Sequence, residues 1–287
     1  MSQAAAHAAR QQPDHAITAN LRYIVRQDTK PYFESSRITG GEPKVFFETE
    51  DLPARINDMR AIADTLSMDV NGFELRAHQS KVADLYDDDL IETQYNAELV
   101  AMLKDMTGAD SVTIFDHTRR SSDAAGARNP DGQRGPAGRV HADYTVKSGP
   151  QRAKDTLGEA EVDRVLSSGG RIIQVNVWRP ITGPVLRAPL ALADSASVPA
   201  EDLIATDQRF PDRTGEIYQL ARGDGHRWYY ASEMTPDEVI LIKGWDSIDD
   251  GRARFTPHGA FTHPSETDDM PARESIETRT YLVFEAR

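Results

Sequence analysis

The 287 residues contain no cysteine, so disulfides, thiolate metal ligands and thiol nucleophiles are excluded, and any metal must sit on histidine or carboxylate side chains. No stretch approaches the roughly 18 consecutive apolar residues that span a bilayer. The start, "MSQAAAHAARQQPDHAITAN", lacks a basic region followed by an apolar run, so a cytoplasmic protein with no membrane partner is expected. Basic charge is also short: 33 Lys and Arg against 46 Asp and Glu give a formal charge of -13. No Lys/Arg stripe interleaved with aromatics reverses that balance, so nucleic acid is not an expected partner.

What is present is an ordinary globular composition, 39% hydrophobic and 28% charged, enough for a sizeable core. Residues 1–18 read as a flexible terminal segment and residues 19–110 as a helical elaboration packed on the core. Within it, "TEDLPARINDMRAIADTL" (49–66) spaces Leu52, Ile56, Met59, Ala63 and Leu66 by three and four with Pro53 in the first turn, which predicts a helix. "LIETQYNAELVAMLKDMTG" (90–108) predicts another, with Ile91, Leu99, Leu103 and Met106 on its apolar face and Gly108 as its left-handed cap.

From residue 111 to 287 the chain turns β-rich: "SVTIFDHT", "RIIQVNVW", "GEIYQLA", "HRWYY", "EVILIKGW" and "RTYLVFEA" are short runs set off by Gly, Pro and Asp. A helical insert spans 153–170, and 198–207 reads as a short helix or turn. The polar segment 119–138 reads as a long loop of the kind that is disordered or covers a site. The expected class is α+β with a mainly β core, a sandwich or jelly roll with flanking helices, many of them N-terminal.

In "GRVHADYT" (138–145), His141 and Asp143 lie two residues apart, so an extended chain points both the same way and lets them grip one ion. The pair needs a third ligand, and "RFTPHGAFTHP" offers His258 or His263. Two histidines and a carboxylate leave three positions open on an octahedral iron, which suits a cosubstrate and dioxygen together. Fifteen residues beyond His258, Arg273 and Ser275 again share one side of an extended chain, and a guanidinium fork beside a hydroxyl suits a carboxylate.

With this arrangement the chain resembles the iron(II)/2-oxoglutarate-dependent oxygenases, in particular the bacterial and fungal tailoring enzymes grouped with gibberellin desaturase and cephem methoxylase components. The segments "QVNVWRPITGPVLRAPLALADS", "RWYYASEMTPDEVILIKGWDS" and "TPHGAFTHPSETDDMPARESIETRTYLVF" extend the resemblance over most of 111–287. It implies a double-stranded β-helix of the jelly-roll type over that region. It also implies catalytic iron(II) ligation by His141, Asp143 and His258, with Arg273 and Ser275 on the distal carboxylate of 2-oxoglutarate. Arg279, of the same parity, is the alternate anchor, and Asn176 a hydrogen-bonding partner of the cosubstrate.

The implied reaction consumes dioxygen and 2-oxoglutarate, releases succinate and carbon dioxide, and abstracts hydrogen from a small secondary-metabolite-like substrate. Hydroxylation, desaturation and ring or peroxide formation are all compatible with that chemistry. Weaker candidates for the substrate pocket are His117, Arg119, Trp178, Trp228 and Tyr230; His117, Arg119 and Arg120 could together meet an anionic substrate, although solvation is the preferred reading for all three. Association into a homodimer through the N-terminal segment is a further expectation. A metal-containing β-barrel binding protein without redox turnover and a zinc hydrolase stand as alternatives, and neither uses Arg273 and Ser275.

Overall fold

The computed structural model describes residues 16–40, 43–130 and 132–287; of the expected flexible segment 1–18, residues 1–15 lie outside that range. In chain order the strands are β1 (Ile17–Ile24), β2 (Tyr32–Glu34), β3 (Lys44–Val45), β4 (Thr49–Asp58), β5 (Phe73–Ala77), β6 (Ser111–Ser121), β7 (Ala127–Asn129), β8 (Gly132–Arg134) and β9 (His141–Ala142). There follow β10 (Arg171–Pro180), β11 (Leu190–Ala193), β12 (Leu203–Arg209), β13 (Thr214–Leu220), β14 (Trp228–Tyr230), β15 (Glu238–Asp246), β16 (His258–Ala260) and β17 (Glu274–Phe284). The helices are α1 (Ser36–Thr39), α2 (Asp88–Leu90), α3 (Asn96–Thr107), α4 (Ser148–Leu157) and α5 (Glu159–Ser167). The class is thus mixed α+β and dominated by strands, as the sequence leads one to expect.

Two sheets carry the architecture. A ten-stranded sheet runs β1-β4-β14-β11-β16-β9-β13-β12-β2-β3, and a five-stranded sheet runs β5-β15-β10-β17-β6. Bridges from Arg22 to Arg139 and from Ile24 to Ala221 carry β1 back to the segments beside β9 and β13, so the larger sheet curls on itself. Leu21, Tyr23, Ile56, Val140, Leu220 and Trp228 fill that curl.

Strand β10 shows how the layers are coded. Ile173, Val175 and Val177 pack toward Leu99, Met102 and Leu103 of α3. Trp178, of the other parity, packs with Leu190 and Leu192 of the larger sheet. A strand buried on both faces reads as a continuous apolar run, and its period of two sorts those residues between layers.

The first hundred residues differ from expectation. The segment 49–66 is not one helix: residues 49–58 form β4, and only Met59–Thr65 is helical, as a 3-10 turn. Leu52, Ala54 and Ile56 alternate as well as any strand, and β1 pairs with β4 along its whole length from Ile17↔Ile56 to Ile24↔Thr49. Pro53 is tolerated because β14 pairs only with Ile56 to Asp58, leaving the other edge at Pro53 without a ladder to break. The expected N-terminal helical elaboration is therefore largely strand, with β1 and β4 in one sheet and β5 in the other.

The second predicted helix is present. α2 passes through a π-helical stretch, Ile91–Tyr95, into α3, and Gly108 caps it at φ 72° in the left-handed region where a side chain is strained. The insert after residue 141 comprises α4 and α5, broken at Gly158. Residues 198–207 begin as a 3-10 turn, Ala200–Asp202, and continue as β12. The polar segment 119–138 holds the end of β6 and the β7-β8 hairpin, rather than a structureless loop. Among the described residues no helix is long and apolar enough to cross a membrane.

Candidate active site

β9 and β16 are neighbours in the larger sheet, and their register sets His258 directly opposite His141. The two rings lie 4.7 Å apart between centroids. Each imidazole is anchored in the same way: Nδ1 of His141 donates to the Arg139 carbonyl at 2.9 Å, and Nδ1 of His258 to the Thr256 carbonyl at 2.9 Å. A carbonyl only accepts, so both Nδ1 atoms carry the proton and both Nε2 atoms present a lone pair. Burial, followed by the neighbouring His141, pushes the pKa of His258 down and keeps its ring neutral.

Asp143 completes the group: its carboxylate and the two imidazoles each offer a ligand atom within 4.8 Å of the others. Oδ1 lies 3.5 Å from Nε2 of His141, while Oδ2 accepts from the Asn176 amide at 2.6 Å and sits 3.7 Å from Nε of Arg279. Burial raises the Asp143 carboxyl, but the neighbouring Arg279 charge outweighs it and holds the group well below the usual carboxylate range. Two neutral nitrogens and one ionised oxygen converging on a point are a donor set for a borderline divalent metal. His263 is elsewhere, its Nδ1 hydrogen-bonded to Ser265 at 2.7 Å.

A small pocket opens beside this group, lined by Arg120, His141, Trp178, His258, Arg273 and Glu277 among others. Arg273 is 2% exposed and donates from Nη1 to the Ala188 carbonyl at 2.7 Å, with its guanidinium 5.7 Å from the Trp178 ring centre. Its Nε and Nη2 are buried without a partner among the described residues. Burial, and then the charge of Arg120, push the Arg273 guanidinium down to about 9. A buried guanidinium with two idle donors is built for a planar anion. Ser275, also buried, pairs with Pro180 of β10 on one side and Arg120 of β6 on the other.

Other expected residues fall differently. Asn176 is committed to Asp143, and its own oxygen accepts from Gln174 at 2.6 Å, so it braces the carboxylate instead of facing a cosubstrate. Arg279 is held by Asp116 at 2.6 Å, Thr118 at 3.0 Å and Glu277 at 2.5 Å, which leaves it no free fork for a second carboxylate.

Of the weaker candidates only Trp178 reaches the pocket. Arg119 points to the helical layer, donating to the Leu85 carbonyl and to Asp88. His117 bridges Thr278 and Asn96 there. Trp228 and Tyr230 are core residues of the curled sheet. The sequence does not by itself single out Glu277 and Gln174; extending the parity of Arg273 and Ser275 by two residues reaches Glu277.

A family model described as an oxidoreductase/YMDC permease-like domain matches residues 21–284. The hydroxylase/desaturase efuI of Hormonema carpetanum is 35% identical over 268 residues, covering 86% of this chain and 88% of that protein. The alpha-ketoglutarate-dependent dioxygenase phiK of a fungal species is 34% identical, covering 80% and 83%. A solved structure of the iron and alpha-ketoglutarate-dependent endoperoxidase NvfI superposes with a TM-score of 0.82 at 27% identity, covering 96% of this chain and all of that one. The fold and these relatives define an oxidoreductase. The chain belongs to the family of hydroxylase/desaturases and iron(II)/2-oxoglutarate-dependent dioxygenases that these proteins represent.

Proposed function

We propose that the protein is an iron(II)/2-oxoglutarate-dependent oxygenase of small, secondary-metabolite-like molecules, with the two sheets forming a double-stranded β-helix. The observation that carries this reading is the pairing of a two-histidine, one-carboxylate group with a buried, unsatisfied Arg273 in one pocket. The donor set fits iron(II), and the idle fork fits the distal carboxylate of 2-oxoglutarate. A structural metal site or a zinc hydrolase gives Arg273 nothing to do.

When bound, iron, 2-oxoglutarate and dioxygen supply the oxidising power for substrate C–H cleavage, with succinate and carbon dioxide released. The chain's own task is placement. His141 and His258 offer fixed lone pairs, Asn176 and Arg279 hold Asp143 ionised and oriented, and Arg273 with Ser275 orients the keto acid. Trp178 and Ala260 narrow the pocket and exclude water around the reacting atoms.

The product class, whether hydroxylated, desaturated or peroxidised, follows from substrate position relative to these groups. We place the enzyme in the cytoplasm as a homodimer, with no nucleic acid or membrane partner, and with the strands before residue 111 completing both sheets around the catalytic residues of 111–287.

The test is an anaerobic titration of metal-free protein with iron(II) and then 2-oxoglutarate. A weak visible charge-transfer band on adding the keto acid, lost in Asp143→Ala, is expected. Iron binding without that band would overturn the reading.

A further inference from the structure

Arg120 is a charged pocket residue that the proposed chemistry does not use. On β6 it alternates with Arg119, which turns to the helical layer, so Arg120 faces the opposite side. The register of β6 with β17 sets it directly opposite Ser275, beside Arg273. Both guanidinium groups line the pocket that holds His141 and His258.

The charges of that lining do not balance. Of its cations Arg120, Arg273 and Arg279, only Arg279 has carboxylate partners among the described residues, Asp116 at 2.6 Å and Glu277 at 2.5 Å. Arg120 makes a single hydrogen bond, from Nη1 to the Gly135 carbonyl at 3.0 Å, and no ion pair among the described residues. Arg273 has no carboxylate partner either. Two partly or wholly buried cations side by side repel each other, and burial lowers the pKa of both. One anion between them removes both penalties, and a carboxylate has about four lone-pair sites, enough to accept from two forks.

We infer that Arg120 and Arg273 act together as a two-guanidinium clamp on the distal carboxylate of the cosubstrate, Arg273 from the floor of the pocket and Arg120 from the β6 side. The inference rests on the oxygenase reading above and adds to it a positioning residue. Arg120 would select a keto acid with a second carboxylate over one without. The same chemistry would serve an acidic group on the oxidised substrate, and the two sources are separable.

The experiment titrates anaerobic iron(II)-loaded protein with 2-oxoglutarate and, in parallel, with pyruvate, which chelates iron through the same keto-acid end but lacks the distal carboxylate. Unaltered protein is compared with Arg120→Met and Arg120→Lys, and thermal melts report whether each variant is folded. The clamp predicts a rise in the 2-oxoglutarate Kd of roughly 10- to 100-fold in Arg120→Met, since one charge-assisted hydrogen bond to the distal carboxylate is removed. A smaller rise is expected in Arg120→Lys, and none for pyruvate in either variant. An unchanged 2-oxoglutarate Kd with the band intact would overturn the clamp alone and assign Arg120 to the substrate. Equal weakening of both keto acids would also overturn it, pointing to a general disturbance of the site. Absence of the band in the unaltered protein would remove the oxygenase reading and the clamp with it.

Discussion

Arg273→Leu should make the ligand-free protein more stable and leave it unable to bind the cosubstrate. Burial lowers the guanidinium to about 9, between three and four tenfold steps below its ordinary value, which at about 1.4 kcal/mol per tenfold corresponds to roughly 5 kcal/mol against the buried charge. At 2% exposure there is no solvent screening to discount. Against that, the substitution strips the Ala188 carbonyl of its donor, worth about 1–3 kcal/mol, and removes the contact with Trp178, worth about 1 kcal/mol. The balance is a gain of about 1–3 kcal/mol, or a few degrees in Tm for a chain of this size.

The same substitution deletes two donors waiting for the cosubstrate, each worth about 1.5–3 kcal/mol toward an anion, so the 2-oxoglutarate Kd should rise at least 100-fold. Thermal melts of metal-free protein and the anaerobic keto-acid titration read the two effects separately. Opposite signs are the signature of a site holding unfavourable charge for a ligand. A variant that is clearly destabilised while still binding 2-oxoglutarate within threefold would refute the reasoning, because Arg273 would then be an ordinary structural residue.

Three further outcomes follow from the same geometry. Asn176→Ala should weaken iron(II) binding about 10- to 100-fold by freeing Asp143. Gly244→Ala should do the same from farther away, because a Cβ there would stand 1.9 Å from Oε1 of Gln174, which holds Asn176; wild-type iron affinity in both variants would sink this relay. His117 is pushed down to about 4, by burial first, so its folded pKa lies below the unfolded value of about 6.5. Its contribution is therefore present above about pH 6.5 and lost as pH falls toward 4, by at most about 3 kcal/mol; unfolding free energies of His117→Gln that keep the wild-type pH slope would contradict it. Lys243 is fully buried on Asp69, Asp246 and the Ala253 carbonyl, so Lys243→Met should destabilise the fold by about 3–5 kcal/mol in denaturant titrations, and a change under 1 kcal/mol would count against that ion network.

The metal group was legible because its residues obey short-range rules. His141 and Asp143 share a face through a period of two, and Arg273 with Ser275 does likewise. The choice of His258 over His263 needed the resemblance, since both lie in one short segment and only pairing with β9 separates them. Parity could not tell which face of β6 meets the pocket, because Thr118, Arg119 and Ser121 are buried there and both faces are covered. Hence the sequence leaves Arg119 and Arg120 equivalent, and only the structure turns Arg120 to the pocket. In 49–66 the spacing of Leu52, Ile56 and Met59 satisfies a helix and that of Leu52, Ala54 and Ile56 a strand, and the choice was made by β1, some thirty residues upstream. Arg279 had the right side chain and parity for an anchor; its saturation by Asp116, on β6, and Glu277 is a tertiary fact.

The placement of these residues also says how the sheets cooperate. His141 and His258 belong to the curled ten-stranded sheet, whereas the groups that fix Asp143, namely Asn176 and Arg279, face each other across β10 and β17 of the five-stranded sheet. A metal bound by His141, Asp143 and His258 is therefore tied to one sheet by its ligands and to the other by the braces on Asp143. Arg273 and Ser275 lie at the start of β17, so the proposed keto-acid anchor is fixed to the same sheet as those braces. Metal and cosubstrate together would cross-link the two layers at one end, where Glu277, Arg279 and Arg120 otherwise repel or compete. On this argument the structure should tighten more on adding both than on adding iron alone, with protection from hydrogen exchange rising at β9, β16 and the start of β17. Equal protection by iron alone would mean that the keto acid does not bridge the layers.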